Sequence, residues 1–125
     1  MHEHYGVHDV INKMDKDKLR KFLKFRTECI QEEVDELDHA VRGKEVNAEE
    51  VVDALIDICV FAIGTLDLFG VDSQEAWEEV YKANMNKEIG IKKERPNPFG
   101  LPDLIKPNNW EPPYHKDNYG KLGDI

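Results

Sequence analysis

Apolar residues recur every three or four positions over residues 17–42, at Leu19, Phe22, Leu23, Ile30, Leu37, Ala40 and Val41. That is the period of a helix with one inward face, and Gly43 closes it. The segment "NAEE" opens a second helix, with Asn47 as N-cap and Glu50 three residues on, the arrangement of a capping box. This helix runs to Gly70, placed as a C′ glycine. "DSQE" repeats the device at Asp72 and Glu75 and starts a third helix through about Glu88. Residues 3–13 carry only a weak periodicity and predict at most a short extra helix. From Gly90 onward all six prolines gather with glycines and asparagines, and no strand pattern is visible. This tail still carries Phe99, Leu101, Leu104, Ile105, Trp110 and Tyr114, so it is expected to strap across the helices or onto a neighbouring subunit. The expected fold is an all-α helical bundle, one domain over residues 1–125 with an irregular tail over residues 90–125.

The acids break this pattern in an informative place. At 100° per residue, Phe22, Arg26, Cys29, Leu37 and Ala40 all fall within about 40° of Glu33. Glu33 therefore sits at the middle of the apolar stripe, with Glu36 and Glu32 toward one margin. Asp35, Glu28, Lys21 and Lys24 lie opposite, on the side expected to be solvated. In the second helix Asp53 and Asp57 share a face with Val60 and Gly64, and Glu50 lies one turn earlier. Beyond Asp57 that helix is apolar all round until Asp67, as at the centre of a bundle. Two helices thus turn carboxylates toward the surfaces that must be buried, and burying an ionised carboxylate unpaired costs several kcal/mol.

Arg26 is the only strong cation on the inward stripe and cannot neutralise four acids. A hard divalent cation can: Mg²⁺ or Mn²⁺ takes oxygen ligands, and these helices supply carboxylates without histidine or cysteine. The expected ligands are Glu33, Glu36, Asp53 and Asp57, with Glu32 open between an ordinary exposed glutamate and a ligand, and Glu50 open between cap and ligand. Composition narrows the partners. With 26 acidic against 17 basic residues and a net charge of −9, the chain lacks the basic face a nucleic-acid polymer requires. A polyanionic small molecule bridged by metal remains compatible. No uncharged apolar run reaches membrane-span length, and "MHEHYGVHDV" has no apolar signal core. Cys29 and Cys59 fall inside helical patterns and read as buried free thiols of a reducing cytoplasm.

"QEEVDEL" (residues 31–37) followed by "DALID" (residues 53–57) resembles the all-α NTP pyrophosphohydrolases, the MazG-like superfamily, whose hallmark is EExxE and then ExxD on a second helix. Glu32, Glu33 and Glu36 match the first half. The second half departs: with Asp57 aligned, Ala54 stands where a glutamate is expected, and either Asp53 or the literal ExxD of Glu50 and Asp53 fills the role. The likeness continues through "ANMNK" and "NPFGLPDLIKPNNWEPP" and is similar to phage-type members, covering roughly residues 19–114. A host cytoplasm is the compartment this implies.

The resemblance implies metal-dependent cleavage between the α- and β-phosphates of a nucleoside triphosphate, giving the monophosphate and pyrophosphate. It implies Glu32 or Glu33 as the group that orients or deprotonates water. It also implies Asn84 on base or sugar and Lys87 on phosphate, the two sharing a helix face, with Arg26 and Lys106 as further phosphate contacts. Base and sugar stay open; a purine, dGTP or GTP, is the working expectation with no residue behind it. Family members are dimers or dimers of dimers, and three helices around so apolar a second helix predict a core completed by a second copy. Two other readings compete. One is a di-iron carboxylate bundle, from the Glu-x-x-His match at Glu36 and His39, which lacks the second such pair. The other is a helical interaction module, or one that binds nucleotides without cleaving them.

Overall fold

The computed structural model describes residues 6–125. Their elements are α1 (Val7–Asn12), α2 (Lys16–Arg42), α3 (Ala48–Leu68), α4 (Ser73–Met85), β1 (Glu88–Gly90), β2 (Asp103–Ile105) and a terminal 3₁₀ helix (Gly120–Asp124). The expected short helix is α1; the first residues of its predicted range lie outside the described part. No single helix among the described residues is long and apolar enough to cross a membrane. The chain forms two compact units, one running through Ser73 and taking back Tyr119–Ile125, the other being Gln74–Asn118.

The first unit is a pair of long helices with a core at one end. Asp15 caps α2 by accepting from the Lys18 amide at 2.9 Å. Asn47 caps α3 by accepting from the Glu50 amide at 3.2 Å. The second half of the expected capping box is replaced, because the Asn47 N–H donates to the Ala40 carbonyl at 3.1 Å and ties the loop back to α2. The C-terminus of α3 ends as the glycine predicted. Gly70 sits at φ +77, its N–H donates to Asp67, and the Val71 N–H donates to Leu66. These two bonds form a Schellman motif.

Ile11, Leu19, Leu68 and Phe69 make the buried cluster, with Phe22, Leu23, Leu122 and Ile125 packed on it. The rings of Phe22 and Phe69 stack at 6.0 Å. The chain end is therefore part of this core. Its anchor is backbone: the Lys121 N–H donates to the Phe69 carbonyl at 2.7 Å.

Away from that end the helices are sparsely covered. Val52, Ile56, Cys59, Val60 and Ile63 fall within about 60° of Ile56 on α3, and all five are exposed. The bundle-centre helix of the sequence thus has one face on α2, and this apolar stripe is exposed among the described residues. Cys59, expected to be buried, is exposed for that reason, and Cys29 is half-buried.

The second unit corrects two expectations. The third predicted helix stops at Met85 rather than Glu88, as the Asn86 and Lys87 amides turn back on the carbonyls of Ala83 and Asn84. A strand then follows: β1 pairs antiparallel with β2, Glu88 opposite Ile105 and Gly90 opposite Asp103. Three-residue strands are too short to show the alternation by which strands are read in a sequence. Trp110 is half-buried and its Nε1 donates to the Ala83 carbonyl at 2.7 Å. Phe99, Leu101, Leu104 and Tyr114 are exposed in the single chain.

Gly120 shows how closely the chain end fits. It sits at φ +52, and a Cβ there would lie 2.0 Å from the Phe69 carbonyl oxygen. At Gly123 a Cβ would meet only the Tyr119 side chain, at ordinary contact distance. Gly120→Ala is expected to destabilise the protein by about 2 kcal/mol or more, and Gly123→Ala by much less; thermal denaturation of the two variants checks this.

Candidate active site

The seam between α2 and α3 holds two solutions to one problem. Toward the core, Arg26 of α2 reaches across to α3. Its Nε donates to Thr65 Oγ1 at 3.0 Å, its Nη2 to the Phe61 carbonyl at 3.1 Å, and the guanidinium lies 5.0 Å from the centre of the Phe61 ring. Thr65 itself donates to the same carbonyl at 2.6 Å. Burial pulls the guanidinium below its ordinary value, with Cys29 acting the other way. Arg26 was expected to contact phosphate; the structure places it as a cross-brace between the helices.

Two turns further along α2 the stripe reaches Glu33, and there the partner is missing. Its Oε2 is buried without a hydrogen bond. Burial first, then the charges of Glu36 and Asp57, hold this carboxyl above its usual range; a hydrogen bond with Glu36 and the nearby charge of Glu32 add to the effect.

The other acids surround an open cavity of about 630 Å³, lined by Asp35, Glu36, His39, Glu50, Asp53, Ala54 and Asp57. Glu36, Asp53, Asp57 and Glu50 are thus brought together, and Glu33 joins them through Glu36 and Asp57. Glu32 is exposed and absent from the lining. Among the described residues, no lysine or arginine lines the cavity. Ala54, at the position where a glutamate was expected, is buried, and Asp53 beside it is exposed on the lining. Because the Asn47 amide is held by Ala40, the Glu50 side chain is not used for the reciprocal cap bond.

Asp35 and His39 were missed as lining residues. Asp35 was read as solvent-facing, where Gln31 Nε2 donates to it at 3.0 Å, yet the cavity is broad enough to reach it. His39 could have been found from its spacing, one turn beyond Glu36.

Among the described residues, no three or more histidine, cysteine, aspartate or glutamate side chains converge closely enough to form a ready metal shell. The donor chemistry nevertheless fits a hard divalent cation. It consists of carboxylate oxygens from two helices, one of them buried and without a hydrogen bond, with no lysine or arginine among the described lining residues.

Within the second unit, Lys87 and Lys106 both lie against Trp110, with ammonium-to-ring distances of 5.3 and 4.9 Å. Lys87 is beyond the end of α4, so it does not share a helix face with Asn84 as predicted. The link between them is the Lys87 N–H donating to the Asn84 carbonyl.

Residues 7–84 match the phosphoribosyl-ATP pyrophosphohydrolase family, a span of well over half the chain that contains every carboxylate of the cavity. The chain belongs to that family. Phosphoribosyl-ATP pyrophosphohydrolases are a branch of the all-α MazG-like superfamily, so the expected fold class and resemblance both hold. Membership makes the protein a pyrophosphohydrolase of the ATP/NTP type. No curated protein matches the chain significantly. The family match ends before Lys87, Lys106 and Trp110.

The raised Glu33 carboxyl has a thermodynamic consequence. The folded state binds its proton more tightly than the unfolded state, so stability falls as pH rises from the ordinary carboxylate range through the folded value. Without divalent metal, Glu33→Gln is expected to melt higher than wild type at pH 7. The difference should close at a pH below the ordinary carboxylate range, where both states are protonated. Melting curves across pH in EDTA check this.

Proposed function

We propose that the protein hydrolyses a nucleoside triphosphate between its α- and β-phosphates, releasing a nucleoside monophosphate and pyrophosphate. The observation that carries this reading is the carboxylate-lined cavity of α2 and α3, with the unpartnered Glu33 oxygen beside it, in a chain of a pyrophosphohydrolase family. Glu36, Asp53 and Asp57, with Glu33 and Glu50 adjoining, would hold Mg²⁺ or Mn²⁺. When bound, the cation neutralises phosphate charge and makes water more acidic.

The chain's own residues divide the remaining work. Glu33 is the preferred base, because its buried carboxylate oxygen has no hydrogen-bond partner and adjoins the cavity. Glu32, more exposed and one residue away, is the alternative. The water oxygen bonds to the α-phosphorus, the bond to the bridging oxygen breaks, and pyrophosphate leaves. Arg26 positions the machinery by fixing α2 against α3. Asn84, Lys87 and Lys106 supply contacts to the nucleotide. Phosphoribosyl-ATP names the family, while no residue here specifies a base or sugar, so a purine triphosphate is the first substrate to try.

The working form is a homodimer or homotetramer. The support is the stripe of Val52, Ile56, Cys59, Val60 and Ile63, which borders Asp53 and Asp57 on α3 and is exposed among the described residues. A second copy laid on it completes a four-helix core and removes water from one side of the carboxylates.

Pyrophosphate release from a panel of NTPs and dNTPs tests the activity. Release is expected with Mg²⁺ and not with EDTA, and Glu36→Ala and Asp57→Ala should each lower it by roughly 100-fold or more while helical content is kept. If no nucleotide yields pyrophosphate with either metal, the proposal fails. Ile56→Glu should convert the oligomer seen by sedimentation to monomer; a wild-type monomer at micromolar concentration would refute the assembly.

A further inference from the structure

The fourth helix has a covered side and an open one. Ala83 is buried, Ala76 and Glu79 are half-buried, and by helical pitch the three fall within about 60° of one another. Nearly opposite them lie Trp77, Tyr81 and Met85, one turn apart along α4 and 68%, 60% and 66% exposed. Val80, also exposed, borders this stripe on one side. These four side chains offer roughly 400–500 Å² of apolar surface per copy, a size at which an exposed patch marks a contact. The other border is charged. Glu78 and Lys82, both exposed, stand at about 60° and 100° from Tyr81 on the same side.

We propose that this face of α4 pairs with the same face of a second copy, the two helices lying antiparallel about a two-fold axis at Tyr81. The stripe is its own complement. The axis sets Trp77 of each copy level with Met85 of the other, an aromatic ring against a thioether. On the charged border, Glu78 of each copy comes within about 3 Å in height of Lys82 of the other. Four charges meet there and sum to zero. That favours a second copy in particular: chains of net charge −9 repel over most of their surface, and this border is where they do not. The doubled stripe, with Gln74, Glu78, Lys82 and Asn84 at its rim, approaches the roughly 1,200 Å² of the smallest stable interfaces. One such contact is too small to hold two monomers at micromolar concentration. A dimer joined through the α3 stripe presents two of these faces, so two dimers make both contacts at once and close as a tetramer. The proposal rests on the reading that the chain assembles through α3, and not on hydrolysis.

Sedimentation of the full-length protein over a range of concentrations, without substrate, tests this. Wild type should run as a tetramer and Trp77→Glu as a dimer, with circular dichroism showing both folded. Glu78→Lys and Lys82→Glu should each raise the concentration at which the tetramer dissociates by about 10-fold, because each tetramer holds four of these pairs. Exchanging the two charges in one chain should restore the wild-type value. A Trp77→Glu protein that stays tetrameric would overturn the proposal, as would a wild type that is already a dimer or a monomer. A Trp77→Glu protein that falls directly to monomer would place α4 in the dimer seam and overturn its self-pairing, and a charge exchange that fails to restore assembly would do the same. A tetramer that Ile56→Glu leaves intact would instead count against the α3 seam, and the masses do not depend on whether any nucleotide is cleaved.

Discussion

A carboxylate oxygen taken out of water must be paired, and at Glu33 the seam between α2 and α3 withholds the pair. The same seam shows that the fold is able to provide one. Arg26, on the same stripe nearer the core, is given a hydroxyl, a carbonyl and an aromatic face by α3. Charged groups therefore enter the interface under two regimes. Where the structure satisfies the charge internally, it obtains a brace between helices. Where it leaves like charges together, it keeps a cavity whose stability depends on what enters it. The rest of the helical unit serves that contrast: the Phe22–Phe69 core and the returning chain end fix one end of the helix pair, while the carboxylate end stays open.

Most of the helical unit was legible because its signals are local. Asn47 and Gly70 announce the ends of α3 through their own chemistry, and both do so in the structure. Helical pitch alone put Glu33 inward and Asp53 and Asp57 together. What pitch could not supply was the identity of each neighbour. Arg26 and Glu33 lie on one stripe, yet Thr65 and Phe61 across the seam decide that the first is satisfied and the second is not. Glu50 gives a second case. Its sequence position suits a capping box, but a long-range bond from the Asn47 amide to Ala40 takes over half of that box.

The second unit was the less legible one for the complementary reason. Its elements are held by pairings between segments far apart in sequence: β1 with β2, and Trp110 with Ala83. Three-residue strands carry no periodicity, and an indole hydrogen bond leaves no trace in the spacing of residues. Lys87 and Lys106 were each visible as separate cations; that one ring holds both follows only from the hairpin register. The exposed Phe99, Leu101 and Tyr114 show the limit of treating apolar content as evidence of burial in the same chain.

The family motif asks for a glutamate where Ala54 stands, and the surroundings of Ala54 explain how the substitution can be tolerated. The position is buried, so a glutamate there would have to bring a longer acid out of water, in a unit where Glu33 already has a buried oxygen without a hydrogen bond. Asp53 is one residue earlier, shorter and exposed on the cavity wall, and it borders the stripe of Ile56, Val60 and Ile63. Moving the acid by one position rotates it about 100° around α3, away from α2 and toward the unpaired apolar face. An acid at that border depends on whatever covers the stripe for its dryness and its orientation, which links the carboxylates of α3 to its exposed apolar face.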